Sequence, residues 1–343
     1  MITAAVFDGP DNGIGLRTFA APSFQEGAAL VRVTCCTICG SDVHTFTGNR
    51  QEPTPSILGH EIVGTVAATG EGTLTDYHGR PVELGDRITW SMQVTCGDCY
   101  YCDDGIPQKC EHLFKYGHAP VQDDHVLSGG LSEACTLRPG TTIVRVPENV
   151  PDVVASPANC ATATVAGAVR LAGPLEDRNV LIQGAGMLGL TATAMADAAG
   201  AASILVLEQR GPRQEWARRF GADGVVANDR EGTLVEEVRR QTDGRGADVL
   251  LELTGDPDAT EAGIAGLRTG GTAVLVGATY PARPLHVEAE DVVRGILTLR
   301  GLHNYTHDDL ARAVSFLADC HARYPFREVV QDGFSLDGIE DAF

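Results

Sequence analysis

Lysine is nearly missing from this 343-residue chain: of 26 basic residues only Lys109 and Lys115 are lysines, a bias that reads as arginine-rich coding rather than function. Acidic residues number 46 and the formal charge is -20, which excludes a nucleic-acid partner, because phosphate contacts require clustered Lys and Arg. Long apolar runs are missing too. The most apolar segment, LTATAMADAAGAASILVL, is broken by Asp197 and Gly200, so no stretch reaches the roughly 20 residues that span a bilayer. No basic region followed by an apolar run opens the chain, and ten cysteines are few for this length, so a reducing cytoplasm is expected rather than a disulfide scaffold. No internal repeat or low-complexity tract is evident. With 43% hydrophobic residues the chain can bury a large core, and its length favours two domains.

The first 150 residues are rich in Gly and Pro, with short β-prone runs, AALVRV, EIVGTVAAT and DRITWSM, between turns; an irregular, mostly antiparallel β domain is expected. From about Pro157 the strand candidates NVLIQ, ILVLE, DVLLEL and TAVLVGA alternate with segments of helical length. This α/β alternation predicts a doubly wound parallel sheet. Further on, DDLARAVSFLADCHARY carries Leu310, Ala313, Val314 and Leu317 at helical spacing.

Four cysteines fall within fifteen residues, CGDCYYCDDGIPQKC. The spacing C-x2-C-x2-C-x7-C through Cys96, Cys99, Cys102 and Cys110, with turn residues between, suits tetrahedral zinc. Four thiolates leave no open position, so such a site is structural. An iron-sulfur cluster uses the same ligand type, and buried or redox cysteines are the plain alternative, although the nearby acids Asp98, Asp103, Asp104 and Glu111 oppose thiolate formation. A second set is dispersed: Cys39 in CGSDVH, His60 in GHEIVG and Cys160 in ANCATAT have the Cys2His composition of a catalytic zinc that keeps its fourth position for water or substrate. Spacing alone does not bring them together.

NVLIQGAGMLGL sets Gly184, Gly186 and Gly189 directly after a strand and at the start of a helix, where the N-H groups around Met187 and Leu188 can meet a pyrophosphate. Glu208 ends the next strand, 19 residues after Gly189, in position to accept hydrogen bonds from adenosine ribose hydroxyls and to repel a 2′-phosphate. The pattern therefore favours NAD. Arg210 and Arg213 pull toward NADP.

Taken together, GHEIVGTVAATG, which fits G-H-E-x2-G-x5-G, the cysteine lobe and QGAGMLG resemble the zinc-dependent medium-chain dehydrogenases of the alcohol dehydrogenase superfamily, over nearly the whole chain. The resemblance implies a GroES-like catalytic domain over 1–155 and 302–343 with a zinc lobe at 96–110, a Rossmann domain over 156–301, and an active site in the cleft between them. It implies two zincs per chain: Cys39, His60 and Cys160 as catalytic ligands, with Glu61 entering as water or substrate exchanges, and the four lobe cysteines on the other. Asp42 would orient His60, Ser41 and His44 would relay the alcohol proton through the cofactor ribose to solvent, and Thr164 would lie beside the nicotinamide. Val276, Gly277 and Ala278 would hold its carboxamide, and Arg213 lies within reach of the cofactor.

The reaction implied is reversible hydride transfer between a small alcohol and NAD(P) in a cytoplasmic homodimer or homotetramer. Thr47, Trp90, Met92 and Tyr116 align loosely with the substrate pocket, and plain packing is the more ordinary role for each. The pieces CTICGSDVHTFTGNR, KCEHLFKYGH and GLHNY resemble a bacterial branch linked to phosphonate metabolism, which implies a hydroxyalkylphosphonate substrate with Arg50 or Lys115 as cations. A polyol or simple alcohol is the other substrate class. A different reading is a zinc- and nucleotide-binding redox sensor or structural protein without turnover, which would have no need to keep Cys39, Ser41, His44, His60 and Cys160 together.

Overall fold

The aliphatic and β-branched run ALVRVTCCT forms β3 (Ala29–Thr37), and EIVGTVAAT forms β4 (Glu61–Thr69), its antiparallel partner. In this computed structural model, which describes residues 1–122, 126–227, 233–331 and 333–343, these two are the middle of a five-stranded sheet. The other strands of the same half of the chain are β1 (Ile2–Phe7), β2 (Ile14–Phe19), β5 (Arg87–Trp90), β6 (Gln93–Val94), β7 (Phe114–Lys115), β8 (Ala134–Leu137) and β9 (Ile143–Arg145). The sheet order is β8-β3-β4-β5-β9, with β1-β2 and β6-β7 as separate pairs. Alternation along each strand sends Val31, Ile62, Val66, Ile88, Trp90, Leu137 and Ile143 into one core.

The β3–β4 register decides which loop ends meet. Thr37 pairs with Glu61, so the residues just after β3 and just before β4 emerge at the same sheet end. Helix α1 (Gly40–Phe46) starts there with Cys39 at its N-cap, opposite His60.

In the second half, NVLIQ becomes β10 (Asn179–Gln183), buried on both faces as parallel strands are. With β11 (Ser203–Leu207), β12 (Gly224–Val226), β13 (Ala247–Glu252), β14 (Leu267–Leu275) and β15 (Thr298–Gly301) it forms a six-stranded parallel sheet in the order β12-β11-β10-β13-β14-β15. Numbered along this half, that is 3-2-1-4-5-6, the Rossmann order, which reverses direction at β10 and opens a crevice beyond its carboxyl end.

The chain divides into two units. One is Met1–Ala163 with Thr306–His321 and Phe326–Phe343; the other is Thr164–Tyr305 with Ala322–Pro325. The helix read from DDLARAVSFLADCHARY spans His307–Cys320, starts with a Thr306–Asp309 capping box, and buries Leu310, Ala313, Val314 and Leu317. Burying each of the larger ones contributes about 1.5–3 kcal/mol. Among the described residues no helix is long and apolar enough to cross a membrane.

Candidate functional site

Around α1 the dispersed ligand set comes together. One donor atom from each of Cys39, His60, Glu61 and Cys160 lies within 4.8 Å of the other three. His60 Nε2 is 3.3 Å from Cys160 Sγ and 3.4 Å from Ser41 Oγ. A nitrogen and a sulfur on one tetrahedral zinc are separated by about 3.6 Å, so the set fits that ion.

One buried carboxylate organises it. Asp42 Oδ2 accepts from Cys39 N at 2.9 Å; Oδ1 accepts from Gly59 N at 3.2 Å and lies 3.3 Å from His60 Nδ1. Burial opposes ionisation of Asp42, but the His60 charge and the hydrogen bonds from His60 and Cys39 outweigh it and hold the carboxyl below its usual range. His60 is raised well above its ordinary value because Asp42, with Cys39, outweighs its burial. The hydrogen bond from Cys160 pulls the Cys39 thiol well down, and Cys160 is driven up correspondingly. Burial, then the Cys39 charge, raises Glu61 to about 8. Such mutually dependent protons on soft donors are those a divalent cation displaces.

Supports that sequence reading missed hold this arrangement. Thr37 Oγ1 donates to Glu61 Oε2 at 2.6 Å, and Ser156 Oγ accepts from Thr37 N at 3.1 Å while donating to the Glu61 carbonyl at 2.8 Å. Asn159 accepts from Ile62 N and donates to the Trp90 carbonyl, pinning the 3-10 turn Ser156–Asn159 that precedes Cys160. Gly59, at φ +85°, presses on Cys36: a Cβ there would meet Cys36 Sγ at 2.6 Å. His118 is buried with its ring 4.9 Å from that of His60. His44 lies three residues beyond Ser41, on the same face of α1. Of the pocket candidates, Trp90 and Tyr116 are core residues: they stack edge to face, and the Tyr116 hydroxyl bonds Thr141 and Arg138 N.

The lobe cysteines converge as well, all four sulfurs within 4.8 Å of one another and unpaired by disulfides. Sγ separations of 3.4 Å (Cys96–Cys110), 3.5 Å (Cys99–Cys102) and 4.0 Å (Cys96–Cys102) bracket the edge of about 3.8 Å expected for four sulfurs on zinc. Cys110 Sγ also accepts from Cys96 N and His112 N. Asp98 pushes Cys96 up to about 12, and the Glu111 N-H pulls Cys99 down to about 6.

In the second unit the helix Met187–Ala198 opens after β10 with Gly186 at its N-cap, directing its first amides, those of Met187 and Leu188 included, out of the crevice end. Gly189 is obligatory: a Cβ there would sit 1.8 Å from the Gly184 carbonyl oxygen. Glu208 is buried, and its two oxygens accept from Ala185 N and Arg210 N at 2.9 and 2.8 Å, leaving each oxygen a further lone pair. The Arg213 guanidinium lies 3.8 Å from where a Gly186 Cβ would be. At the end of β14 the Val276 and Gly277 amides both bond the Glu252 carbonyl, and Gly277, followed by Ala278, packs on Gly255. Thr164 lies on the helix Ala161–Ala172, one turn after Cys160.

Comparison with known proteins agrees with both halves. Residues 25–148 match the alcohol dehydrogenase GroES-like domain and residues 188–319 the zinc-binding dehydrogenase family. An L-threonine 3-dehydrogenase of Pyrococcus horikoshii is 34% identical over 80% of this chain and 75% of its own. A 5-exo-hydroxycamphor dehydrogenase of Pseudomonas putida is 30% identical over 95% and 91%. The crystal structure of an alcohol dehydrogenase from Thermotoga maritima superposes with a TM-score of 0.91 at 29% identity, over 99% of this chain and 96% of that one. The chain thus belongs to the zinc-dependent medium-chain dehydrogenases, NAD(P)-dependent oxidoreductases acting on CH-OH donors.

Proposed function

We propose that this enzyme oxidises a small secondary alcohol reversibly with NAD, using a catalytic zinc on Cys39, His60 and Cys160, with Glu61 as the exchanging fourth donor, and a structural zinc on Cys96, Cys99, Cys102 and Cys110. The observation that carries the reading is the convergence of Cys39, His60, Glu61 and Cys160 within 4.8 Å, with the Ser41 hydroxyl against His60. When bound, zinc supplies Lewis-acid polarisation of the substrate oxygen and the nicotinamide supplies the hydride acceptor.

The chain's own residues do the rest. Ser41 Oγ takes up the substrate hydroxyl proton and hands it toward His44, one turn along α1. Asp42 fixes the His60 ring so that Nε2 faces the donor set. Thr37 and Ser156 hold Glu61 beside it without a second charge. Glu208 accepts from the adenosine ribose and disfavours a 2′-phosphate. Thr164, Val276, Gly277 and Ala278 orient the nicotinamide, and Arg213 lies along the pyrophosphate end. A secondary alcohol is favoured because the carbinol carbons named in two relatives, C3 of threonine and C5 of hydroxycamphor, are both secondary.

The enzyme works in the cytoplasm, a reducing compartment that suits cysteines held outside disulfides. It is a homodimer or homotetramer: β15 is a sheet edge, and Val293 and Ile296 beside it are 74% and 71% exposed, a surface that an isologous copy would cover. The test is a screen of NAD and NADP reduction over alcohols, polyols and hydroxy acids, with zinc counted per chain. Two zincs and NAD reduction are expected, lost in Cys39→Ala with one zinc retained. Two zincs without reduction of either cofactor, or full activity in Cys39→Ala, would overturn the reading.

A further inference from the structure

An acidic side chain ends the apolar strand β13. The strand reads ADVLLE, and its last residue, Glu252, is fully buried. A carboxyl group taken out of water is unfavourable unless hydrogen bonds replace its hydration. Here the next turn of the chain supplies them. Glu252 Oε1 accepts from Thr254 N at 2.6 Å, from Gly255 N at 2.9 Å and from the Thr254 hydroxyl. Thr254 Oγ1 accepts in its turn from Asp256 N at 3.0 Å, at the start of the helix Pro257–Ala265.

The turn at 253–255 is packed against the end of β14 with no room for a side chain between them. A Cβ on Gly277 would meet Gly255 N at 2.3 Å and Thr254 N at 2.6 Å, and one on Gly255 would meet the Gly277 carbonyl oxygen at 2.5 Å. A Cβ on Gly184, in the glycine loop, would touch Thr254 Cγ2 at 3.0 Å. The main chain of Glu252 adds a second grip, because its carbonyl accepts from Val276 N at 2.9 Å and Gly277 N at 3.1 Å. One residue thus holds the backbone at 276–277 twice. The other carboxyl oxygen, Oε2, is buried and without a hydrogen-bond partner among the described residues, as is Oε1 of Gln183, its in-register neighbour on β10. Side chains paired across parallel strands share a face, so an amide at 252 would keep Oε1 and offer its NH2 toward Gln183.

We propose that Glu252 is a positioning residue for the nicotinamide end of the cofactor: by gripping the turn at 253–255 it fixes Gly277, and with it the backbone edge at 276–278 that holds the carboxamide. This rests on the NAD-dependent reading above and adds the residue that shapes the cofactor seat. The role belongs to the acceptor oxygen, not to the charge.

The experiment compares two ligands on the zinc-loaded enzyme, NADH by fluorescence and ADP-ribose by calorimetry. ADP-ribose keeps the adenosine and pyrophosphate but lacks the nicotinamide, so the ratio of the two dissociation constants isolates that end. Glu252→Met removes the acceptor at similar length and should raise the Kd for NADH at least tenfold, with ADP-ribose within threefold of the parent. Glu252→Gln should restore NADH binding to within threefold and melt no lower than the parent. Gly255→Ala keeps the carboxyl group but pushes on Gly277, and should show the same NADH-specific loss even if the methionine variant does not fold. Unchanged NADH binding in Gly255→Ala or in folded Glu252→Met, equal loss of both ligands, or a glutamine variant as impaired as the methionine one would overturn the proposal. A parent enzyme that binds neither ligand would instead overturn the cofactor reading, and this inference with it.

Discussion

Asp42→Asn tests how the catalytic site is held. The carboxylate accepts from Cys39 N and Gly59 N and faces His60 Nδ1, with one oxygen toward the first and the other toward the remaining two. An amide has one acceptor and one donor. Whichever way it turns, its NH2 meets an N-H, and at least one bond to a charged acceptor is lost, at about 1.5–3 kcal/mol. Outer partners of a metal-bound histidine are generally worth 10–100-fold in metal affinity, about 1.4–2.8 kcal/mol. The two ranges agree. The assay is competition for zinc against a chelator near neutral pH, with the lobe zinc as an internal reference. One zinc should be released 10–100-fold more readily, and the other should be unchanged. If both are retained within threefold of the parent, Asp42 does not orient His60; if both weaken together, the carboxylate supports the whole unit rather than the site.

Gly189→Ala forces a Cβ to within 1.8 Å of the Gly184 oxygen, so overpacking should cost about 1–3 kcal/mol and NADH affinity by fluorescence should fall at least tenfold; an unchanged Kd would refute the close approach. Cys96→Ser should lower the zinc count from two to one and reduce thermal stability, and retention of both ions would remove the lobe from the metal sites. Burial holds His307 below the usual histidine range, its ring against Thr142 and Thr95. Its folded pKa is therefore depressed: the unfolded chain takes the proton first, so this contribution to stability is complete above about pH 6.5 and is lost on acidification below it. His307→Gln should flatten the decline in stability between pH 7 and 5, measured by urea unfolding, and a steeper decline would reverse the sign.

The legibility of the site followed sequence distance. Cys96 to Cys110 could be read directly, because one turn-rich segment sets their geometry. Cys39, His60 and Cys160 are far apart in the chain, and the pairing of Thr37 with Glu61, with Asp42 between, joins the first two; the resemblance supplied that step. Thr37, Ser156 and Asn159 went unseen because hydroxyl and amide partners have no characteristic spacing. Trp90 and Tyr116 align loosely with the pocket but are packing residues, as the period-2 pattern of Ile88 and Trp90 on β5, and of Phe114 and Tyr116, indicates for a core face. The parallel sheet was the most readable part, since its central strands β10, β11 and β13 are near-continuous apolar runs.

Cys36 belongs to neither proposed metal site, yet its sulfur fills the space against which Gly59 is folded, one residue before His60. Its size is therefore a dimension of the proposed active centre. A smaller residue leaves slack in the backbone that carries the histidine, a larger one or an oxidised sulfur pushes on it, and either reaches the metal without touching a ligand. A position that looks like interchangeable filling acts as a gauge block for the chemistry.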